Sequence, residues 1–537
     1  MRTSLLALCI AFFVIPATAG ERGAQFQNLD RMIQELNLRP YFSKSPKRQI
    51  KIAIFDNGFK GAQEEIGRSL PTNTQIHPGP VALPGEEETH GFYMAKILWS
   101  LLSLGGTDER YAPAEFHLYN TFGYTNLKSA VEDASSRGVD LILYSQTWEY
   151  GGNFDGKGFI NKLVDQAIDS GAIWINNAGN FGAGTFNGAV KTGKDDWLAL
   201  PDPNQSVEFR CQENPLGNCK VRAVLSWNSF ANDVEQGTDK DLDFVLTDDT
   251  LNVLQSSNLT QTKEGRDQPG FSKYPREILT AEVSPGLYYL RVKNRSKNFG
   301  SKDRFRITLS GDFVSMKRAD KKESLLPPAD NARAITVGAM DSEKSSVSVS
   351  RSKPELYTNS LVSISSQENF KGSSNSAAMV AAGVAILMSQ SESFSRSKLL
   401  NLSFPRGGAT LGKGLPLSEL GFAPTDPQGC FRPLNPSGQP DHVIWAVTQG
   451  GTLVETNLGP KVFYEFDPND FLQMPRRARN DILVVSASGP GIYARSGIYQ
   501  LPSSMIELVQ IPQNLQICSD YVPLPSWARV FRLPSLR

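Results

Sequence analysis

The feature that most constrains the fold is an alternation of apolar runs and helical patterns in the first third of the chain. Apolar runs typical of buried strands occupy residues 51–55, 139–144 and 172–176, and helical patterns occupy residues 126–137 and 159–170. A strand followed by a helix and a parallel strand forms a right-handed crossover. The alternation therefore predicts an α/β fold with a mostly parallel sheet flanked by helices.

Three polar side chains follow the predicted strands. Asp56 and Ser145 come directly after two of the apolar runs, and Asn180 comes shortly after the third. In parallel α/β sheets, ligands and reacting groups gather beyond the carboxyl ends of the strands. The three residues are therefore candidates for one shared site.

The pattern changes near residue 200, and a chain of 537 residues is longer than one hydrophobic core usually supports. Short alternating runs separated by turns then predict a β-sandwich, and from residue 429 similar runs predict a C-terminal β-rich module. The strand-and-helix pattern resumes between these two stretches. We expect a split α/β domain at residues 20–205 and 313–428, an inserted β-sandwich at 206–312, and a β-rich domain at 429–537.

Residues 1–19 resemble an export signal. Arg2 gives a positive start, residues 5–15 are apolar, and small residues at 17–19 form a cleavage site. The alternative, an N-terminal membrane anchor, is disfavoured because the apolar run is shorter than the roughly 18 to 20 residues that span a bilayer. We expect a secreted or periplasmic protein with no membrane span after signal removal.

Cysteine usage agrees with an oxidising compartment. Loss of the signal removes Cys9 and leaves an even number, which favours two disulfides. Cys211 and Cys219 flank a turn-forming stretch and are the first candidate pair. Cys430 and Cys518 would then join the two ends of the C-terminal module, although the sequence leaves crossed pairings open.

Charge argues against a nucleic-acid partner. The chain has 55 Lys and Arg residues and 55 Asp and Glu residues, so its formal net charge is zero. A protein that binds nucleic acid usually presents a basic field. We therefore expect no nucleic-acid partner.

Two further residues complete a candidate charge relay with Asp56 and Asn180. His90 is one of four histidines and precedes an apolar helical run, and Ser374 opens a helix rich in small residues. A serine hydroxyl needs an imidazole to take its proton, and the imidazole needs a carboxylate to orient it. Taken singly, each residue has an ordinary structural alternative, as a turn residue, a buried histidine or a helix-capping serine.

The four fragments, in this order, resemble those of the subtilisin-like serine proteases. The motifs are Asp56-Asn-Gly, His90-Gly, Ala-Gly-Asn180 and Gly-Ser-Ser374. The resemblance implies that Ser374 attacks the peptide carbonyl, that His90 is the general base, that Asp56 orients it, and that Asn180 completes the oxyanion hole. It also implies a subtilisin-like fold and a secreted endopeptidase that acts on protein or peptide without a cofactor for the chemistry.

The resemblance extends to substrate binding and to the insertion. It assigns Ser145 and Gly179 to substrate binding, and the β-rich stretch resembles a pre-peptidase C-terminal domain. Several positions depart from the family pattern: Ala378 replaces a proline, Ser373 replaces a threonine, and Ser145 begins Ser-Gln-Thr-Trp without the family's glycine. None of these changes removes a reactive group.

A structural calcium ion is a further expectation. Asp239, Asp241 and Asp243 alternate along the chain and would offer carboxylates to calcium. The alternative is a charged turn that leads into a strand, because calcium takes six to eight oxygens and this run supplies few.

Two other functions compete with the protease interpretation. The first is a catalytically inactive relative that acts as a binding module. The second is a serine esterase, but the chain has no Gly-x-Ser-x-Gly elbow, and its order of acid, base and serine differs from the order in that fold.

Overall fold

A computed structural model describes most of the chain up to residue 399 and, beyond it, the backbone of short strands. The described ranges are residues 26–36, 38, 45–82, 89–104, 113–264, 269–364, 369–390, 394–397 and 399, and strand segments between residues 404 and 517. The predicted export signal lies outside the described residues. Within them, no helix has both the length and the apolar character needed to cross a bilayer.

Helices in the described residues lie in the N-terminal and central parts of the chain. They are α1 (Leu29–Glu35), α2 (His90–Leu102), α3 (Gly123–Ser136), α4 (Phe159–Asp169) and α5 (Ser373–Ser389). In α3 the buried residues Leu127, Ala130, Val131 and Ala134 follow helical spacing and form one face. By contrast, α2 and α5 are buried on almost every side.

Strands account for most of the remaining regular structure. In chain order they are β1 (Ile50–Asp56), β2 (Gln75–His77), β3 (Ala114–Asn120), β4 (Leu141–Tyr144), β5 (Ile173–Asn177), β6 (Thr185–Ala189), β7 (Val207–Cys211), β8 (Cys219–Trp227), β9 (Leu242–Asp248), β10 (Val253–Ser257), β11 (Thr260–Gln261), β12 (Phe271–Ser272), β13 (Arg276–Val283), β14 (Gly286–Asn294), β15 (Arg304–Ser310), β16 (Val314–Met316), β17 (Ile335–Ala339), β18 (Leu356–Thr358), β19 (Val362–Ser363), β20 (Asn369–Phe370), β21 (Phe404–Pro405), β22 (Lys413–Gly414), β23 (Cys430–Phe431), β24 (Val443–Thr448), β25 (Thr452–Thr456), β26 (Ile482–Ala487), β27 (Ile506–Gln510) and β28 (Gln516–Ile517).

The central sheet has nine strands in the order β2-β3-β1-β4-β5-β17-β18-β22-β21. All neighbouring pairs are parallel except β21 and β22. The predicted mostly parallel α/β sheet is therefore confirmed. Every residue of β4, β5 and β17 is buried, as expected for a sheet covered by helices on each side.

Alternate residues of β1 face two different helical layers. Ile52 and Ile54 belong to the core cluster that includes α1, α2 and α5. Ala53 and Phe55 belong to the cluster formed with α3 and α4. The carboxyl end of β1, which carries Asp56, is thus fixed between both layers.

The segment before β1 is part of the same core. Leu29, Met32 and Ile33 of α1 are each at most 3% exposed. The Asn28 side chain donates to the carbonyl oxygen of Leu361 at 2.7 Å and accepts from the amide of Ser363 at 2.9 Å. These hydrogen bonds hold the segment against residues 361–363, which include β19 and precede α5.

The predicted β-sandwich consists of two antiparallel sheets. Their strand orders are β10-β9-β14-β7-β16 and β13-β8-β15-β6. The sheets extend beyond the predicted 206–312 boundaries, because β6 pairs with β15 and β16 pairs with β7. Neither edge strand has a clear strand pattern in the sequence. Strand β6 contains Gly188 and few apolar residues, and β16 has only three residues.

The start and the end of this insertion lie side by side. The amide of Leu309 donates to the carbonyl of Gly184 at 2.7 Å, and the amide of Asp320 donates to the carbonyl of Thr185 at 2.6 Å. The sandwich also contacts the α/β domain through Glu149, which accepts from Arg222 Nε at 2.9 Å. The host strands β5 and β17 pair directly across the insertion.

A disulfide joins Cys211, the last residue of β7, to Cys219, the first residue of β8. It closes the turn between two strands that belong to different sheets of the sandwich. The second predicted pair stays a prediction, because Cys518 lies outside the described residues. The strands described beyond residue 429 form a four-stranded antiparallel sheet, β26-β24-β25-β27, and a parallel pair, β23 and β28.

Glu277 is a buried acid in the core of the sandwich. Its side chain is 0% exposed and accepts hydrogen bonds from Ser257 Oγ and from Gln261 Nε2. Burial raises the pKa of Glu277 from its ordinary value of 4.5 to about 7. Above pH 7 the folded protein therefore holds a charge that would be better solvated in the unfolded chain.

We expect Glu277→Gln to stabilise the protein at alkaline pH. The wild type loses stability as the pH rises from 4.5 to about 7, because only its folded state keeps the proton in that range. The amide carries no charge, so its advantage in free energy of unfolding grows to roughly 3 kcal/mol above that range and vanishes below it. Thermal unfolding at pH 4 and pH 8.5 measures the difference, with exposed Glu264→Gln as the control. An equal effect at both pH values would contradict the prediction.

Candidate active site

Asp56 is fixed at the carboxyl end of β1. Its side chain is 0% exposed, and the Asn57 amide donates to Oδ1 at 2.8 Å. Gly91 allows α2 to begin directly against this turn. Its amide donates to the carbonyl of Gly58 at 2.9 Å, and an added Cβ would lie 2.6 Å from that oxygen.

His90 is the first residue of α2 and contacts Asp56. Its Nδ1 lies 2.9 Å from Oδ1 and 2.8 Å from Oδ2 of Asp56. Because an ionised carboxylate only accepts hydrogen bonds, Nδ1 carries a proton and Nε2 is the basic nitrogen of the neutral ring. The ring is 37% exposed. A buried acid therefore orients a histidine that is accessible to solvent.

Ser374 is the second residue of α5 and lies at the carboxyl ends of β4 and β5. Its Oγ donates to the carbonyl of Ser145 at 3.2 Å and accepts from Asn177 Nδ2 at 3.1 Å. The same Nδ2 also donates to the Ser145 carbonyl at 3.2 Å. The hydroxyl is thus held by the first residue after β4 and the last residue of β5.

Gln146 contacts both the acid and the histidine. It follows Ser145 in the chain, and its Nε2 donates to Asp56 Oδ1 at 2.9 Å and lies 3.4 Å from His90 Nδ1. One region of the molecule therefore contains the carboxyl ends of β1, β4 and β5 and the first turns of α2 and α5. The structure places Asp56 and His90 in direct contact and Ser374 at the neighbouring strand ends.

Asn180 lies beside the N-terminus of α5. Its Oδ1 accepts from the amide and from the hydroxyl of Ser373, each at 3.2 Å. Its Nδ2 faces Gly372, where an added Cβ would lie 3.4 Å away. The side chain is exposed and next to the positive end of a 17-residue helix.

Gly179 packs against the segment that follows β4. Its φ of +84° favours glycine, and an added Cβ would lie 3.2 Å from Thr147 Cγ2. The two residues predicted to bind substrate, Ser145 and Gly179, therefore belong to adjacent segments, residues 145–147 and 178–180.

Two residues of this site, Gln146 and Asn177, were not predicted from the sequence. The signal for Gln146 is a polar side chain directly after Ser145, where an apolar run has just ended. Asn177 could have been noted because it ends the same strand that leads to Asn180. Neither signal specifies which side chain it would contact.

Two of the three aspartates expected to offer carboxylates to calcium pair with basic side chains, and the calcium site stays a prediction. Asp239 Oδ2 pairs with Lys263 Nζ at 2.7 Å, and Asp243 Oδ2 lies 3.2 Å from Arg295 Nε. Burial and the charge of Asp243 raise the pKa of Asp241 to about 6. Within the described residues, no group of three or more His, Cys, Asp or Glu side chains is arranged to hold a metal ion.

Comparison with known proteins gives partial structural similarity only. No protein-family model matches the chain, and no curated protein matches it. The similar solved structures include the CspB protease of Clostridium perfringens, at 14% identity and a TM-score of 0.40 over 67% of this chain and 87% of that one.

Two further solved structures cover smaller parts of the chain. The epidermin leader peptide processing serine protease of Staphylococcus aureus has 18% identity and a TM-score of 0.23, over 30% of this chain and 45% of that one. The pre-peptidase C-terminal domain of a Bacillus anthracis collagenase has 14% identity and a TM-score of 0.14, over 26% of this chain and 96% of that one. At these identities and TM-scores the similarity assigns no activity, so the function is argued from the site.

Proposed function

We propose that this protein is a subtilisin-like serine endopeptidase that cleaves peptide bonds through an acyl-enzyme on Ser374. The observation that carries the proposal is the contact between His90 Nδ1 and the buried carboxylate of Asp56 at 2.8 and 2.9 Å. This contact leaves Nε2 as the base. It also stabilises the imidazolium that forms when the ring takes a proton.

In the first step, the Ser374 hydroxyl changes the acceptor of its hydrogen bond. Its hydroxyl donates to the Ser145 carbonyl at 3.2 Å, and a rotation about Cα–Cβ redirects it to His90 Nε2. Nε2 takes the proton while Oγ bonds to the carbonyl carbon of the peptide. The carbonyl oxygen becomes an oxyanion, and Asn180 Nδ2 and the N-terminus of α5 stabilise that charge.

In the second step, the peptide C–N bond breaks. His90 gives its proton to the leaving amine, and the acyl group remains on Ser374. A water molecule then loses a proton to His90 and attacks the acyl carbon. The Ser374 oxygen leaves with the proton returned from His90, which restores the free enzyme.

The proposed location is the cell exterior or the periplasm. The disulfide between Cys211 and Cys219 agrees with an oxidising compartment. Residues 1–19 would serve as the export signal, and the substrate would be an extended or unfolded protein or peptide.

Denatured casein and a short-chain ester test the proposed reaction. We expect the full chain to release casein fragments with new amino termini, to hydrolyse the ester far more slowly, and to react with a fluorophosphonate probe. Ester hydrolysis without casein cleavage would favour the esterase alternative. No labelling and no hydrolysis would favour an inactive binding module.

Asn180→Ala is expected to weaken stabilisation of the oxyanion. Loss of one such donor lowers kcat by roughly 10²- to 10³-fold, whereas KM changes little because the donor acts mainly on the transition state. Steady-state kinetics on a peptide substrate measure the split, with exposed Asn218→Ala in the sandwich as the control. An effect confined to KM would contradict the role of Asn180.

A further inference from the structure

We propose that Gln146 is a positioning residue that holds the Asp56 carboxylate and thereby sets the basicity of His90. The inference rests on the proposed function. The Gln146 side chain donates to Asp56 at 2.9 Å and lies 3.4 Å from His90 Nδ1. It acts through the acid.

The two oxygens of the Asp56 carboxylate differ in the number of their hydrogen-bond partners. Its Oδ1 accepts from the Asn57 amide at 2.8 Å, from Gln146 Nε2 at 2.9 Å and from His90 Nδ1 at 2.9 Å. Its Oδ2 lies 2.8 Å from the same His90 nitrogen. Within the described residues, Gln146 therefore supplies a side-chain hydrogen bond that competes with His90 for this carboxylate.

Gln146 is itself held by its neighbours. Its backbone carbonyl accepts from Asn176 Nδ2 at 3.3 Å, and Asn176 is 0% exposed. The preceding carbonyl, that of Ser145, accepts from Asn177 and from Ser374. Two consecutive residues after β4 thus contact the nucleophile through a carbonyl and the acid through an amide, and β5 anchors both.

The amide affects the charge that His90 experiences. A donor to an ionised carboxylate stabilises and disperses its negative charge. Without that donor, Asp56 interacts more strongly with the imidazolium, and the pKa of His90 rises. The base must be neutral to accept a proton, so the acid limb of the activity profile would move to higher pH.

A second titratable group interacts with the charge of Asp56 but does not affect the titration of His90. Tyr144, at the end of β4, is buried, and burial together with the charge of Asp56 raises the pKa of its phenol. Its hydroxyl accepts from Trp148 Nε1 at 2.6 Å. The phenol therefore stays neutral over the range in which His90 titrates.

Gln146→Met tests the proposal in the full-length protein, because it keeps the side-chain length and removes the donor. We expect kcat to fall about 10-fold, KM to stay within about twofold, and the acid limb of kcat/KM to rise by roughly 0.5 to 1 pH unit. Gln146→Leu should shift the limb in the same direction if the methionine variant does not fold. Exposed Gln255→Met in β10 is the matched control.

The test separates this inference from the proposed function. Fluorophosphonate titration first counts competent sites in each variant. A wild-type protein without labelling or hydrolysis would overturn the proposed function. An active wild type whose methionine variant has the same pH profile, or loses only folded yield or KM, would overturn the role of Gln146 alone.

Discussion

Ser374→Ala is expected to abolish peptide hydrolysis and fluorophosphonate labelling while the protein stays folded. Removing the nucleophile from an acid, base and serine system lowers kcat by about 10⁶-fold. Alanine lacks only the hydroxyl oxygen, and the two groups that this oxygen contacts, Asn177 Nδ2 and the Ser145 carbonyl, still bond to each other at 3.2 Å. The loss therefore reports chemistry and not a collapsed core.

Ser376→Ala is the matched control for this substitution. Ser376 lies on the same helix, is 0% exposed, and donates to the carbonyl of Thr358 at 3.1 Å. We expect near-normal turnover and labelling from this variant. Retained hydrolysis in Ser374→Ala, or equal losses in both variants, would contradict the assignment of the nucleophile.

Asp56→Asn is expected to lower kcat by about 10⁴-fold with little change in KM. The amide nitrogen of asparagine would donate to His90 Nδ1, so the ring proton would move to Nε2. The ring could then no longer take the proton of Ser374. Kinetics on the same peptide substrate measure the loss, and exposed Asp249→Asn is the control.

A double substitution gives a sharper test of the same coupling. If Asp56 acts only through His90 on Ser374, then Asp56→Asn combined with Ser374→Ala should be no less active than Ser374→Ala alone. A further multiplicative loss would show that Asp56 contributes to stability or binding by another route. Unfolding midpoints of the single variants distinguish those two explanations.

The sequence predicted the elements whose environment is local. The apolar runs at residues 51–55 and 172–176 became buried strands because a parallel sheet covered by helices requires apolar residues on both faces. Asp56 and His90 were predicted as partners, and each lies at the boundary of an element that the pattern defines well.

The remaining contacts depend on which strands are neighbours in the sheet. The local sequence of a strand does not specify its neighbours. Gln146 reaches Asp56 because β4 lies directly beside β1, and Asn177 reaches Ser374 because β5 is the next strand. The strands β6 and β16, which flank the predicted sandwich, were not predicted for a related reason. Short or glycine-containing strands gain their place from the partner strand and not from their own pattern.

The sandwich starts and ends at adjacent points, so its insertion does not interrupt the parallel sheet of the α/β domain. The residues that flank it lie next to each other, so β5 and β17 pair as neighbours in that sheet. A sandwich attached in this way can differ in length without changing how the strands of the parallel sheet are ordered.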